Sequence, residues 1–124
     1  MTSSLNGKVA LITGGSRGLG REMALAFAEA GVSGLTITAA PGSDEDTADI
    51  EAELNDTICA VKALGVQGLA LLADVSAVEQ CKTVVSKTVE VLGGLHILVN
   101  NAGKSGRYVH FGNSSLNISQ VNPE

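Results

Sequence analysis

Hydrophobic and polar residues follow one another along this chain in blocks of different period. Four short apolar runs, each closed by glycine or polar residues, are typical of strands, and the first and third are expected to be buried on both faces. They cover residues 9–13, 35–39, 69–73 and 95–99. Between them lie three longer stretches with apolar residues at helical spacing, at residues 18–30, 46–64 and 76–92. The pattern therefore predicts seven elements in the order βαβαβαβ.

The regular alternation of strands and helices indicates the fold class. It favours an α/β fold in which helices cover both faces of a parallel sheet. We therefore predict a three-layer, Rossmann-like arrangement of four strands, which is an incomplete doubly wound fold. The predicted domain covers residues 1–103. Residues 104–124 are polar and aperiodic, and they are predicted to form a poorly ordered tail.

The second and third predicted helices carry specific expectations about packing. In the second, four apolar residues share one face: Ile50, Leu54, Ile58 and Val61. In the third, Ser76 and Glu79 have the spacing of a capping box. The apolar residues of that helix are Val78, Cys81, Val85, Val89 and Leu92. We expect both apolar faces to meet the core, with Cys59 and Cys81 as reduced core residues. In the fourth run, His96 is predicted to be an edge residue whose ring has a hydrogen-bond partner.

Composition and charge narrow the class of protein further. The chain has 124 residues, of which 44% are hydrophobic and 17% charged, enough for one packed domain. The net charge is −5, but seven of the thirteen acidic residues fall between Asp44 and Asp56, as in a solvated helix start. The sequence has no basic stripe, no apolar run of membrane-spanning length and no secretory signal. We therefore predict no nucleic-acid partner, no membrane partner and a cytoplasmic location.

A glycine-rich turn connects the first predicted strand to the first predicted helix. It reads Thr13-Gly14-Gly15-Ser16-Arg17-Gly18-Leu19-Gly20. Without Cβ atoms, such a backbone can turn sharply and bring its amide groups close to a pyrophosphate. The start of the following helix adds a positive partial charge. The spacing differs from G-x-G-x-x-G, but its position in the first βα unit predicts nucleotide binding.

Three motifs taken together resemble the cofactor-binding half of the short-chain dehydrogenase/reductase family. They are the glycine turn, Asp74-Val75 after the third strand, and Asn100-Asn101-Ala102-Gly103 after the fourth. The resemblance covers roughly residues 6–103. It implies that Asp74 contacts the amino group of adenine. It also implies that the Asn100 motif holds the sheet and lines the cofactor cleft.

The choice between NAD and NADP depends on the end of the second strand. An acidic residue there binds the ribose hydroxyls of NAD, whereas NADP needs a base or a small polar pocket. This sequence continues Ala39-Ala40-Pro41-Gly42-Ser43, without an acid, and Arg17 matches a position where many NADP-preferring family members carry a base. The acidic run beginning at Asp44 would repel a phosphate, and Asp44 could replace the missing acid. NADP is favoured, and NAD remains the alternative.

The predicted site therefore combines the glycine turn, the end of the second strand and the two later motifs. Its cofactor-binding residues are Thr13, Gly14, Gly15, Ser16, Arg17, Gly18, Leu19, Gly20, Ala40, Ser43, Asp74, Val75, Asn100, Asn101, Ala102 and Gly103. No metal-binding residues are predicted.

The residues that carry out catalysis in this family are not found in the sequence. The resemblance implies hydride transfer between nicotinamide and an alcohol or carbonyl substrate, using a Ser and a Tyr-x-x-x-Lys pair. Here Tyr108 is the only tyrosine, Gly112 stands four residues after it, and no lysine follows Lys104. We predict no catalytic residues and no activity for this chain alone, with substrate binding only if the missing half is supplied.

Two other functions remain open at this point. The chain could be a nucleotide-binding or regulatory module without chemistry. A methyltransferase-like domain is a weaker alternative, because Asn100-Asn101-Ala102-Gly103 argues against it. The sequence leaves the substrate and the oligomeric state undetermined.

Overall fold

The seven predicted elements are all present in the computed structural model, which describes residues 5–15, 18–40 and 47–101. Their bounds lie within two residues of those predicted. The elements are β1 (Val9–Thr13), α1 (Gly18–Glu29), β2 (Gly34–Ala39), α2 (Thr47–Ala63), β3 (Gln67–Leu72), α3 (Val78–Leu92) and β4 (Ile97–Asn100). Within these ranges, no helix has both the length and the apolar character needed to cross a membrane.

The four strands form one parallel sheet in the order β3-β2-β1-β4. Successive strands β1, β2 and β3 are added in one direction, and β4 then pairs with the opposite side of β1. Opposite β4, Thr13 at the end of β1 is in register with Asn100. The predicted Rossmann-like α/β fold is confirmed.

The helices cover the two faces of the sheet unequally. Ala10 and Ile12 of β1 pack in the larger core, to which α1 contributes Ala24 and α2 contributes Leu54. Leu11 points to the other face and packs with Val84 of α3 in a smaller cluster. This alternation along β1 follows from the two-residue period of a strand, and it gives the three predicted layers.

Burial of the strands depends on their place in the sheet. Every residue of β1 and β2 is buried, which confirms the prediction made for the first strand. The prediction that the third strand is fully buried is wrong, because Gln67 is exposed and the other residues of β3 are only partly buried. Since β3 is an outer strand of this four-stranded sheet, it lacks a strand neighbour on one side.

Helix α2 packs as predicted, but α3 does not. On α2, Leu54, Ile58 and Val61 are buried, and Ile50 packs partly buried against them. On α3, the buried residues are Val84 and Thr88. The predicted apolar stripe is largely open, with Val78 65% and Val89 46% exposed.

A hydroxyl contact explains the orientation of α3. The Thr88 hydroxyl lies 2.9 Å from the Thr36 hydroxyl on β2 and donates to the Val84 carbonyl at 2.8 Å. Both threonines are completely buried. A buried hydroxyl needs a partner, so the side of α3 that carries Thr88 faces the sheet. The apolar stripe, which lies beside it on the helix, is consequently turned outward.

Two local predictions about loops had different outcomes. The prediction of a capping box at the start of α3 is wrong, because Ala77 is the N-cap and no side chain caps the helix. The Ser76 amide and hydroxyl both donate instead to Asp74 Oδ1, at 3.0 and 2.6 Å. The expectation for His96 is confirmed. Its Nδ1 accepts the Val9 amide at 3.0 Å, and its own amide donates to the Val9 carbonyl at 2.9 Å.

The prediction that the cysteines are core residues is also wrong, since Cys59 and Cys81 are free thiols on the surface. Cys59 lies outside the buried face of α2, and Cys81 lies on the outward side of α3. We therefore expect both thiols of the native chain to react with a chromogenic disulfide reagent as fast as in 6 M urea. A thiol that reacts only after unfolding would contradict this assignment of the helix faces.

Candidate functional site

The carboxyl ends of the four strands lie along one edge of the sheet. Between β1 and β4 the chain changes the direction in which it adds strands. In open α/β sheets, ligands bind in the crevice outside the carboxyl ends of the strands at such a point, because the loops on either side diverge. Gly14 and Gly15 after β1, and Asn100 and Asn101 at the end of β4, flank this crevice.

The start of α1 approaches the end of β1 unusually closely. Gly20 is buried in the first turn of the helix. A Cβ atom at Gly20 would overlap the carbonyl oxygen of Gly14 and lie 2.8 Å from Asn101 Nδ2. Gly14 itself has a φ angle of +75°, which side chains disfavour. The glycines at these two positions therefore bring the helix start into contact with the ends of β1 and β4.

A polar cluster joins the ends of β1 and β4. The Thr13 hydroxyl donates to Asn100 Oδ1 at 3.2 Å and accepts the Asn101 amide at 2.9 Å. Asn101 Nδ2 donates to the Gly14 carbonyl at 3.1 Å. Thr13 is only 3% exposed, so water competes little for these bonds. The cluster fixes both strand ends and the first residue of the turn.

A second contact ties the first turn of α1 to α2. Arg21 Nη1 donates to the Thr57 hydroxyl at 2.7 Å and lies 3.2 Å from the Asp56 carboxylate. Thr57 is completely buried. Because Arg21 directly follows Gly20, this contact holds the helix start in place from the side of α2.

The turn after β3 presents a carboxylate at the same edge. Asp74 is exposed, and its Oδ1 is held by Ser76 as described above. Its backbone amide donates to Gln80 Oε1 at 2.7 Å. Sequence reasoning missed Gln80, since a glutamine six residues after an aspartate belongs to no motif with a recognised spacing.

The structure brings together some of the predicted site residues and spreads others along the edge. Thr13, Gly14, Gly20, Asn100 and Asn101 are in mutual contact. The others that the structure describes are Gly15, whose amide donates to the Thr38 carbonyl, Gly18 and Leu19 at the start of α1, Ala40 after β2, and Asp74 and Val75 after β3. Ser16, Arg17, Ser43, Ala102 and Gly103 lie outside the described residues.

Comparison with known proteins identifies the family. A family model for short chain dehydrogenase matches residues 8–121. The chain belongs to the short-chain dehydrogenase family. General stress protein 39 of Bacillus subtilis is 43% identical to this short-chain dehydrogenase family member over 100 residues, which are 81% of the chain and 32% of that protein.

Solved structures of dehydrogenases show the same fold. A candidate dehydrogenase from Burkholderia cenocepacia with bound NADP has a TM-score of 0.73 and 27% identity over 84% of the chain and 37% of that structure. A xylitol dehydrogenase with bound NAD⁺ has a TM-score of 0.71 and 28% identity, over 85% and 36%. The chain thus spans about a third of the length of the relatives that it matches. Members of this family use NAD or NADP.

Proposed function

We propose that this chain binds a nicotinamide adenine dinucleotide across the carboxyl edge of its sheet, as the cofactor-binding part of an oxidoreductase. The reaction proposed for the whole protein is hydride transfer between the nicotinamide and an alcohol or carbonyl substrate. The observation that carries the proposal is the contact of the α1 start with Gly14 and Asn101 at the point where the strand order reverses.

This contact suits a pyrophosphate for an electrostatic reason. The first amides of a helix have no partner within the helix and carry a positive partial charge. Here Gly18 begins α1 with a φ angle of +60°, and no side chain at Gly20 separates the helix start from the strand ends. An anionic group in the crevice would therefore meet backbone amides directly.

The adenosine half would then extend over β2 and β3. Neighbouring strands are about 4.8 Å apart, so the end of β3 lies about 10 Å from the end of β1. Asp74 comes two residues after the end of β3. Its carboxylate is an acceptor suited to the exocyclic amino group of adenine, and we assign it that role. The nicotinamide half would lie on the β4 side.

Within this function, we propose that NADP is preferred to NAD. In support, the two residues that the structure describes at the end of β2, Ala39 and the exposed Ala40, carry no carboxylate, which is the group with which NAD-binding proteins hold the ribose. Arg17 in the glycine turn supplies a positive charge for the 2′-phosphate. The bound NADP of the Burkholderia cenocepacia structure is compatible with this preference, while NAD⁺ in the xylitol dehydrogenase keeps NAD as the alternative.

Calorimetric titration of the chain and its Arg17→Ala variant with both dinucleotides tests the preference. A hydrogen bond between charged groups contributes about 1.5–3 kcal/mol, so we expect NADP affinity to fall about 10- to 100-fold. NAD affinity should stay within about twofold, since NAD lacks the phosphate that Arg17 would contact.

Lys62→Ala is the matched control for this experiment. Lys62 is exposed in the last turn of α2, at the opposite end of that helix from the carboxyl edge of the sheet. Its removal changes the net charge by the same amount and should leave both affinities unchanged. An equal loss of both dinucleotides in Arg17→Ala, or no loss of either, would reject the NADP preference.

The sequence favours binding without turnover for these 124 residues. Tyr108 lacks a lysine four residues later, so the chain has no pair that could protonate a substrate oxygen in the manner of the family. We propose that hydride transfer needs groups beyond this sequence, and that these residues by themselves bind the dinucleotide.

A further inference from the structure

Three hydrogen bonds hold the turn after β3, although Asp74 and Ser76 are exposed. Asp74 Oδ1 accepts two donors from Ser76, and the Ala77 amide donates to the Asp74 carbonyl at 3.0 Å. These bonds fix the side-chain rotamer of Asp74 relative to its own turn. These bonds lie within the turn and do not hold it against the rest of the fold. A contact with helix α3 does that.

Gln80 supplies that connection. The Ala73 amide donates to the Ala39 carbonyl of β2 at 2.9 Å. The next amide along the chain is that of Asp74, which lies beyond the end of β3. There it meets Gln80 Oε1 at 2.7 Å. Gln80 thus supplies an acceptor that a neighbouring strand would otherwise offer.

The glutamine is carried by a helix that cannot easily shift. Gln80 lies in the first turn of α3, and further along that helix Val84 and Thr88 are buried against the sheet. The bond between the Thr88 and Thr36 hydroxyls links α3 directly to β2. Gln80 therefore connects the Asp74 backbone to α3, and α3 is in turn bonded to the sheet.

We propose that Gln80 is a positioning residue for adenine recognition, which holds the Asp74 turn where the carboxylate can accept from the adenine amino group. This inference rests on the proposed dinucleotide binding. Since hydrogen bonds weaken steeply with misalignment, a displaced turn would weaken the contact with the amino group selectively.

The test compares a dinucleotide with its analogue that carries hypoxanthine in place of adenine. Whichever of NADP or NAD binds more tightly to the unaltered chain is used. Hypoxanthine presents a carbonyl oxygen to Asp74 instead of an amino group, so the unaltered chain should bind the adenine form about tenfold more tightly. In Gln80→Ala, adenine-form affinity should fall about three- to tenfold, and hypoxanthine-form affinity should stay within about twofold.

Two further variants separate positioning from a general structural effect. Gln80→Glu retains an Oε1 acceptor and should restore most of the discrimination between the two bases. Thr83→Ala removes the hydroxyl that donates to the Glu79 carbonyl on the same exposed side of α3. It should change neither affinity. The melting temperature of each variant is measured alongside.

The possible outcomes are distinct. If the unaltered chain binds neither dinucleotide, the proposed function fails and this inference falls with it. If it binds both base forms equally, the proposed function stands and adenine recognition by this turn is rejected. If Gln80→Ala weakens both forms equally, or neither, Gln80 does not position Asp74 for adenine and the inference is overturned.

Discussion

Replacing Gly20 by alanine should abolish dinucleotide binding and lower the free energy of unfolding by about 3 kcal/mol. The added methyl would overlap the backbone carbonyl oxygen of Gly14, which cannot rotate away as a flexible side chain could. To make room, the start of α1 must move off the ends of β1 and β4. That movement withdraws the helix amides from the crevice, so affinity should fall at least about 100-fold when measured by calorimetry.

Gly18→Ala is the matched control, because it adds the same methyl two residues earlier. Nothing lies within 4 Å of a Cβ at Gly18, but its φ angle is +60°. The free energy of unfolding of this variant should therefore fall only by the cost of placing alanine in a left-handed conformation, about 1–2 kcal/mol. Urea unfolding of both variants, with circular dichroism as a check on folding, measures the difference. Equal losses in the two would show that backbone strain, and not close approach, makes the turn sensitive.

The elements of the fold could be predicted because their signals are local. A run such as Val9–Thr13 is recognised from five neighbouring residues, and the helical spacing on α2 from four apolar positions. The orientation of α3 was not predictable in this way. It depends on a hydroxyl of β2, Thr36, that lies 52 residues away along the chain from Thr88. Likewise, composition alone does not reveal that β3 is an outer strand, because strand order is set by the path of the connections.

In the candidate site, too, the local motifs could be predicted and the contacts between distant residues could not. The glycine turn and the Asn100 motif could be singled out because their residue types suit particular backbone conformations and turns. Their contact could not, since it joins Gly14 to Asn101 across 87 positions. Gln80 was missed for a different reason. It lies only six residues after Asp74, but glutamine is common on helix surfaces, and no sequence motif indicates that its side chain reaches the Asp74 amide.

Asn101→Asp should have the second largest effect, and for an electrostatic reason rather than a steric one. The substitution exchanges the Nδ2 donor, 3.1 Å from the Gly14 carbonyl oxygen, for a carboxylate oxygen that repels it. Leaving that carbonyl without its donor should lower the free energy of unfolding by about 1–3 kcal/mol. The new charge also lies beside the proposed pyrophosphate position, so dinucleotide affinity should fall at least about tenfold.

Salt dependence distinguishes this variant from Gly20→Ala. Raising the salt concentration to about 1 M shortens the screening length to about 3 Å, so part of the affinity lost in Asn101→Asp should return, whereas none should return in Gly20→Ala. Asn6→Asp makes the same chemical change at an exposed residue ahead of β1, at the amino edge of the sheet, and should leave affinity and stability unchanged. If Asn101→Asp bound the dinucleotide as tightly as Asn6→Asp does, the crevice between β1 and β4 would not be where the pyrophosphate lies. The anion would then have to be sought elsewhere along the carboxyl edge.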